Sequence, residues 1–442
     1  MVNKSSVSIG GGQGFYGDGL APLADLLNVG LDYLIFEGLA ELTLAILQKD
    51  RLRDESLGYT RDLPLYLANA QEVLIGRRTK VVTNAGGINP IAAGRVAVET
   101  LRSLGGNGLK VATVVGDDVL SRPDDFALEQ DLLFANVYLG ALPIVQALQS
   151  GADIVITGRV ADASLFLAPL IYEFCWDFTD YDRLASGVVV GHLLECSGQV
   201  AGGNYSGAWW ENKNPDRIGF PYCDVEPNGQ AIISKPKDTG GRVTFDTVRE
   251  QLLYEVHDPS SYLNPDVTCD FTSVTLEDLG EDRVLIEPSL GGPPPTTYKG
   301  LACKPNGFSC EVKLGYAWPD AEAKARIAIR YIKNRAQAIG VEVLEWWEEY
   351  FGVNGYGGPT VEIDPLYEPP EVIGRLAWRC AQPAQAQALF REVGVLGLSG
   401  PPAFASIGRA RDGKPTQLLK VTQFAANRSK VDPYVKIEIT EV

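Results

Sequence analysis

SVSIGGGQGFYGD, residues 6–18, sets an apolar run of four residues against a stretch crowded with glycine. SVSI reads as a short strand. GGGQGFYGD (10–18) reads either as a phosphate-binding loop or as a tight turn in which Asp18 caps the next helix. The same arrangement recurs down the chain. KVVTNAGG (80–87), KVATVVGDD (110–118) and ADIVITG (152–158) each run from an apolar stretch into a polar turn, and DYLIFEG (32–38) ends in Glu37.

Between these runs lie segments of helical spacing: 20–30, 39–50, 63–77, 89–105 and ALPIVQALQSG. Asn89-Pro90 is a good helix opening, and Thr244 is placed to cap a helix over 244–256. Short strands that are apolar throughout, alternating with helices, predict a sheet covered on both faces. The expected fold is therefore α/β, a mostly parallel Rossmann-like layered sheet, with a smaller C-terminal α+β region. Residues 1–290 are expected to form the α/β domain that carries the site, and 300–442 the α+β region packed on it. PLYEPPE (365–371) reads as a linker.

The 442 residues carry a formal net charge of −17, with 45% hydrophobic and 21% charged residues. That charge opposes contact with nucleic acid or an anionic membrane. No run of 18 apolar residues offers a membrane span, and MVNKSSVSIGGG lacks the features of a secretory signal. A cytoplasmic homo-oligomer with a small anionic organic substrate is expected. The seven cysteines are dispersed without a CxxC pair, which fits reduced thiols and gives no zinc motif.

Ligands of open α/β sheets bind beyond the carboxyl ends of the strands. The candidates there are Gly11, Gly12, Gly14 and Asp18 after the first strand and Glu37 after the second. Asn84, Gly86 and Gly87 follow the third, Asp117 and Asp118 the fourth, and Arg159 and Asp162 the fifth. Arg159 suits an anion, because guanidinium pairs with carboxylate or phosphate in bidentate fashion. The glycine run lacks the GK[ST] ending of a P-loop and matches GxGxxG only with aromatics inside it. His192 and Glu195 are three residues apart on one helix face, a spacing for a base and its orienting carboxylate, for two metal ligands, or for a structural pair. His257, the other of two histidines, either caps a helix end or meets His192. Lys235, Gly240, Gly241 and Arg242 lie in KPKDTGGRV, either an anion-holding loop or a charged hairpin turn. No HExxH spacing points to a metal.

Eight stretches resemble the acyclic terpene utilisation family, named for AtuA: IGGGQGFYGD, DYLIFEGLAELT, VVTNAGGINPIAAG, VVGDDV, ITGRVADASLFLAPL, VVGHLLECSGQVAGG, KPKDTGGRVTFDTVREQLLYEVHDP and LGLSGPPAFASIG. The resemblance spans about residues 8 to 420, in its short form. Every candidate residue above falls within it, without a role assigned. The resemblance implies a setting in which branched acyl-CoA thioesters are intermediates. Together these readings point to an enzyme acting on a small carboxylate or branched acyl-CoA by lyase or hydratase proton transfer. No cofactor is assigned, and CoA enters only as part of the substrate. Two alternatives stay open: a nucleotide-dependent oxidoreductase or transferase, and a non-catalytic binding or assembly subunit.

Overall fold

The structure, a computed structural model, describes residues 4–77, 79–358, 364, 367–406 and 414–442. Two compact units divide the chain. One comprises the residues up to Cys303 together with Val421–Val442, and the other is Lys304–Lys420. Residues 421–442, grouped by the sequence reading with the C-terminal region, thus fold with the first unit.

The first unit begins with β1 (Val7–Gln13), α1 (Leu20–Leu26), β2 (Tyr33–Phe36), α2 (Glu41–Arg53), α3 (Leu63–Asn69), β3 (Lys80–Thr83) and α4 (Pro90–Ser103). There follow β4 (Lys110–Val115), β5 (Phe134–Val137), α5 (Leu142–Gln149), β6 (Ile154–Thr157), α6 (Asp162–Phe174) and α7 (Tyr181–Leu194). Strands β1, β2, β3, β6 and β4 pair side by side and parallel. Their side chains alternate between two cores, as the two-residue repeat of a strand requires. Tyr33, Ile35, Val82, Ala112 and Val155 face a core shared with α5, α6 and α7. Leu34, Phe36, Val81, Val111 and Ile154 face the other, shared with α1, α3 and α4. This two-sided burial is why the strands read as unbroken apolar runs. Asn89 caps α4 by accepting from the Ala92 N–H.

The expectation of a mostly parallel sheet needs correction. The remaining strands are β7 (Tyr222–Val225), β8 (Ala231–Ser234), β9 (Tyr262–Leu263), β10 (Thr268–Asp270), β11 (Leu276–Asp278), β12 (Val284–Ile286) and β13 (Leu290–Gly292), with α8 (Phe245–Leu253) between β8 and β9. β7, β8, β12 and β11 extend the sheet beyond β1 by antiparallel pairing. The last strand of the chain, Lys436–Glu441, pairs antiparallel with β4 at the other edge. The result is a ten-stranded mixed sheet with a parallel centre. Hairpins cause the difference: β7–β8 and β11–β12 are joined by short turns, and such turns permit only antiparallel neighbours.

β14 (Thr297–Ala317) starts in the first unit, where Gly300–Cys303 pair antiparallel with β5, and runs on into the second. There it is followed by α9 (Ala321–Ala338), β15 (Glu345–Phe351), β16 (Glu371–Cys380), α10 (Pro383–Glu392) and β17 (Phe404–Ser406). The sheet order is β15-β16-β14-β17, the antiparallel arrangement of a split βαββαβ unit. Its core is apolar, with Trp378 and Leu376 wholly buried against α9 and α10 residues. Part of the expected linker, residues 365–366, lies outside the described residues, as do the last two residues of LGLSGPPAFASIG.

Candidate active site

The strand ends are tied to one another before any ligand is considered. Glu37, just past β2, is buried; its Oε1 accepts from the Leu39 N–H at 2.7 Å and from Asn84 Nδ2 at 2.9 Å. Asn84, just past β3, accepts from the Gly38 N–H at 2.8 Å. Past β4, Asp117 Oδ2 accepts from the Arg159 N–H and from Asn136 Nδ2, both at 2.8 Å. Gly158 makes this approach possible, because a Cβ there would stand 2.5 Å from the Asp117 carboxylate. These bonds tie each strand end to the next, as burial of polar groups favours.

Arg159 is 1% exposed. Its Nη1 donates to the Leu39 carbonyl, its Nη2 donates to Asp162 Oδ1, and its guanidinium lies 4.1 Å from the Tyr138 ring centre. Asp162 opens α6 three residues on, so the helix start fixes the pair. Arg159 remains charged: burial opposes its proton, but Asp162, Tyr138 and Glu37 outweigh that and raise its pKa.

His192 and Glu195 come from the last turn of α7 and the residue after it. His192 Nδ1 is 2.9 Å from Glu195 Oε1, and the buried ring lies against Phe271 and Tyr262 at 5.3 and 5.6 Å between centres. Gln251 Nε2 donates to the His192 carbonyl at 3.1 Å. The α7 end sits here because Gly11 in β1 and Gly14 just past it carry no side chains. A Cβ at Gly11 would meet the Leu194 carbonyl oxygen at 2.5 Å, and one at Gly14 would meet Cys196 at 2.9 Å.

Arg159, Asp162, His192, Glu195, Tyr138 and Lys299 line one cleft of about 980 Å³ within the first unit. Glu41 also lines it and accepts from Lys299 Nζ at 2.8 Å. Burial pushes the Asp162 carboxyl well above the usual range; Arg159 opposes this, and Glu37 and Glu195 add to it. Burial also raises Glu37, with Arg159 and the Asn84 bond pulling back. Asp117 is pushed up to about 7, chiefly by burial. The cleft thus combines an imidazole held by a carboxylate with a carboxyl whose pKa burial raises. Separate environments of this kind are how one site keeps an acid and a base at the same pH.

The other expected site residues lie elsewhere. The first part of the glycine run is strand rather than loop: Gly10–Gly12 belong to β1, Gly10 and Gly11 pair with β2, and Gly10 also pairs with β7. A Cβ at Gly12 would meet Leu34 at 2.8 Å, so Gly12 serves packing. Asp18 closes the following turn by accepting from the Gly14 and Gly19 N–H groups, while Gly19 itself is the helix N-cap. Gly86 and Gly87 shape the turn after β3; Gly86 bonds the Thr157 carbonyl, and Gly87 has φ +54° against Leu47. Asp118 lines a separate cleft of about 860 Å³ with Arg51, Asn89 and Asn136, and its Oδ1 accepts from the Leu120 N–H. Lys235 is buried, bonding the Thr239 carbonyl at 3.0 Å and Asp282 at 3.1 Å. Gly240 and Gly241 sit against the Asn214 and Ala201 carbonyls, and Arg242 pairs with Glu211 at 2.8 Å. His257 is exposed in the bend after α8 and lines neither cleft.

Tyr138, Glu41, Lys299 and Tyr262 line the first cleft without having been singled out in the sequence. Tyr138 follows β5, FANV, whose three apolar residues around Asn136 were the one available signal. Lys299 arrives on β14, and nothing local marks it.

Among the described residues no group of three or more His, Cys, Asp or Glu could hold a metal ion, and no helix is long and apolar enough to cross a membrane. Fold and cleft together define a mixed α/β protein with a cluster of ionisable groups at its strand ends. The chain belongs to the acyclic terpene utilisation family protein AtuA, whose family model matches residues 7–437. No curated protein and no protein of solved structure matches it.

Proposed function

We propose that the chain is an enzyme of lyase or hydratase type that moves protons on a small carboxylate or branched acyl-CoA. The observation that carries this reading is the His192–Glu195 pair at 2.9 Å, lining the same cleft as Arg159 and Asp162. With Glu195 ionised, Nδ1 must carry the imidazole hydrogen, which leaves Nε2 a lone pair for use as a base. Asp162, whose pKa burial raises, is the acid that returns a proton to carbon or to a departing oxygen. Arg159 supplies positive charge where an enolate oxygen would develop.

The family's name connects its members with acyclic terpenes, whose skeletons are branched, and this supports the acyl class. Against the nucleotide-dependent alternative, Gly10 and Gly11 are paired within the sheet and the Gly14 N–H is taken by Asp18. The test is a screen of carboxylates and acyl thioesters for turnover by the wild-type chain and by His192→Gln. Turnover of one of them by the wild type, lowered at least about a hundredfold in the variant, is expected. Equal turnover by the two would refute the assignment.

A further inference from the structure

Two polar atoms of the cleft residues are buried and have no hydrogen-bond partner: Arg159 Nε and His192 Nε2. Both belong to side chains at least 98% buried, since Arg159 is 1% and His192 2% exposed. A buried donor or acceptor left without a partner is costly, and such an atom calls for an explanation. The two atoms ask for opposite things. Arg159 Nε carries a hydrogen and needs an acceptor. His192 Nε2 has a lone pair, because Nδ1 faces Glu195, and needs a donor.

A carboxylate oxygen can accept from Arg159 but has nothing to give His192. It would also bring a further carboxylate to a place already holding the carboxyl groups of Asp162 and Glu195, with Glu37 behind Arg159. The positive charges available are already engaged: Arg159 with Asp162 and the Leu39 carbonyl, and Lys299 with Glu41. A hydroxyl can serve either atom, as acceptor for Arg159 or donor for His192, without adding charge.

Resting on the acyl-substrate reading above, we infer that the substrate presents a hydroxyl to Arg159 and His192 and carries its carboxyl masked as a thioester rather than free. This narrows the substrate class to neutral hydroxyacyl compounds at the reacting end. An anionic group further along the molecule is compatible with it, since the constraint applies only to what reaches these two side chains.

The test is titration calorimetry on the full chain with three matched probes. These are 3-hydroxybutyryl-pantetheine, butyryl-pantetheine and free 3-hydroxybutyrate. The hydroxy thioester is expected to bind at least about tenfold tighter than either of the others, because a site built to bond a hydroxyl rejects its absence. In His192→Gln, and separately in His192→Phe, that preference over butyryl-pantetheine should shrink toward unity. Equal binding of the two thioesters, tighter binding of the free acid, or no binding of any probe at millimolar concentration overturns the inference. Binding and turnover are read separately. Hydroxyl preference without turnover of any substrate would leave the inference standing and remove the enzymatic reading.

Discussion

Gly11 lies against the Leu194 carbonyl so closely that a Cβ on it would stand 2.5 Å from the oxygen. The glycine run of β1 and the end of α7 that bears His192 and Glu195 are therefore one piece of packing. Ser197 reinforces it by donating to the Gly11 carbonyl at 3.1 Å. Gly11→Ala must push the α7 end away from the sheet. Overpacking of this kind costs about 1–3 kcal/mol. A lowered melting temperature together with reduced turnover is the expected result, measured by thermal denaturation and by assay. An unchanged melting temperature would show that the contact is slack.

Asp117 gives a pH signature. Its pKa is raised by burial to about 7 in the folded chain, against about 3.9 for an unperturbed carboxyl. Between these values the folded state holds a proton that the unfolded state has released. Stability contributed by this group therefore falls as pH rises from about 4 to about 7 and levels off above, with a slope of up to about 1.4 kcal/mol per pH unit. Asp117→Asn should flatten that part of the profile in urea denaturation series at stepped pH. A parallel profile in the variant would mean that Asp117 is ionised when folded.

The apolar pattern made the parallel centre of the sheet readable. Tyr33–Phe36 bury alternate residues on opposite faces, and both faces are covered. The antiparallel edges were less legible. TSVTLEDLGEDRVLIE does read as a hairpin, but nothing in it says which sheet it joins. The glycine run misled for a physical reason. Glycine is required both where backbone must bind a phosphate and where a strand must admit another element's backbone, and composition does not separate the two. Arg159, Asp162, His192 and Glu195 were legible because they stand at strand or helix ends. Tyr138 and Lys299 were not, because β5 and β14 pair with each other over more than 150 residues of chain. Asp118 lies beside Asp117 in sequence, yet the two part company: one is buried toward Arg159 and the other lines the second cleft.

Lys235 distinguishes structure from binding in KPKDTGGRV. Its ammonium is held by Thr239 and Asp282. Lys235→Met should destabilise the first unit by about 1–3 kcal/mol, since it strands acceptors that are at least partly buried. Ligand affinity at the first cleft should stay the same. A loss of affinity with stability unchanged would return this lysine to the ligand site.

Glu195 acts through His192. Glu195→Gln keeps a hydrogen-bonding partner at Nδ1 but removes the charge that stabilises an imidazolium. The expected effect is a fall in kcat, smaller than that of His192→Gln, with the melting temperature close to wild type. An unchanged kcat in the variant would remove Glu195 from any part in positioning His192.

The proton itself is the most direct thing to follow. Hydroxyacyl and enoyl pantetheine thioesters are incubated with the chain in D2O, and deuterium entering the carbon next to the thioester is read by NMR. Wash-in on at least one of them by wild type, absent in His192→Gln and reduced in Asp162→Asn, is the expected result. Wash-in that persists at the wild-type rate without His192, or none on any thioester, would contradict the assignment of this cleft to proton transfer.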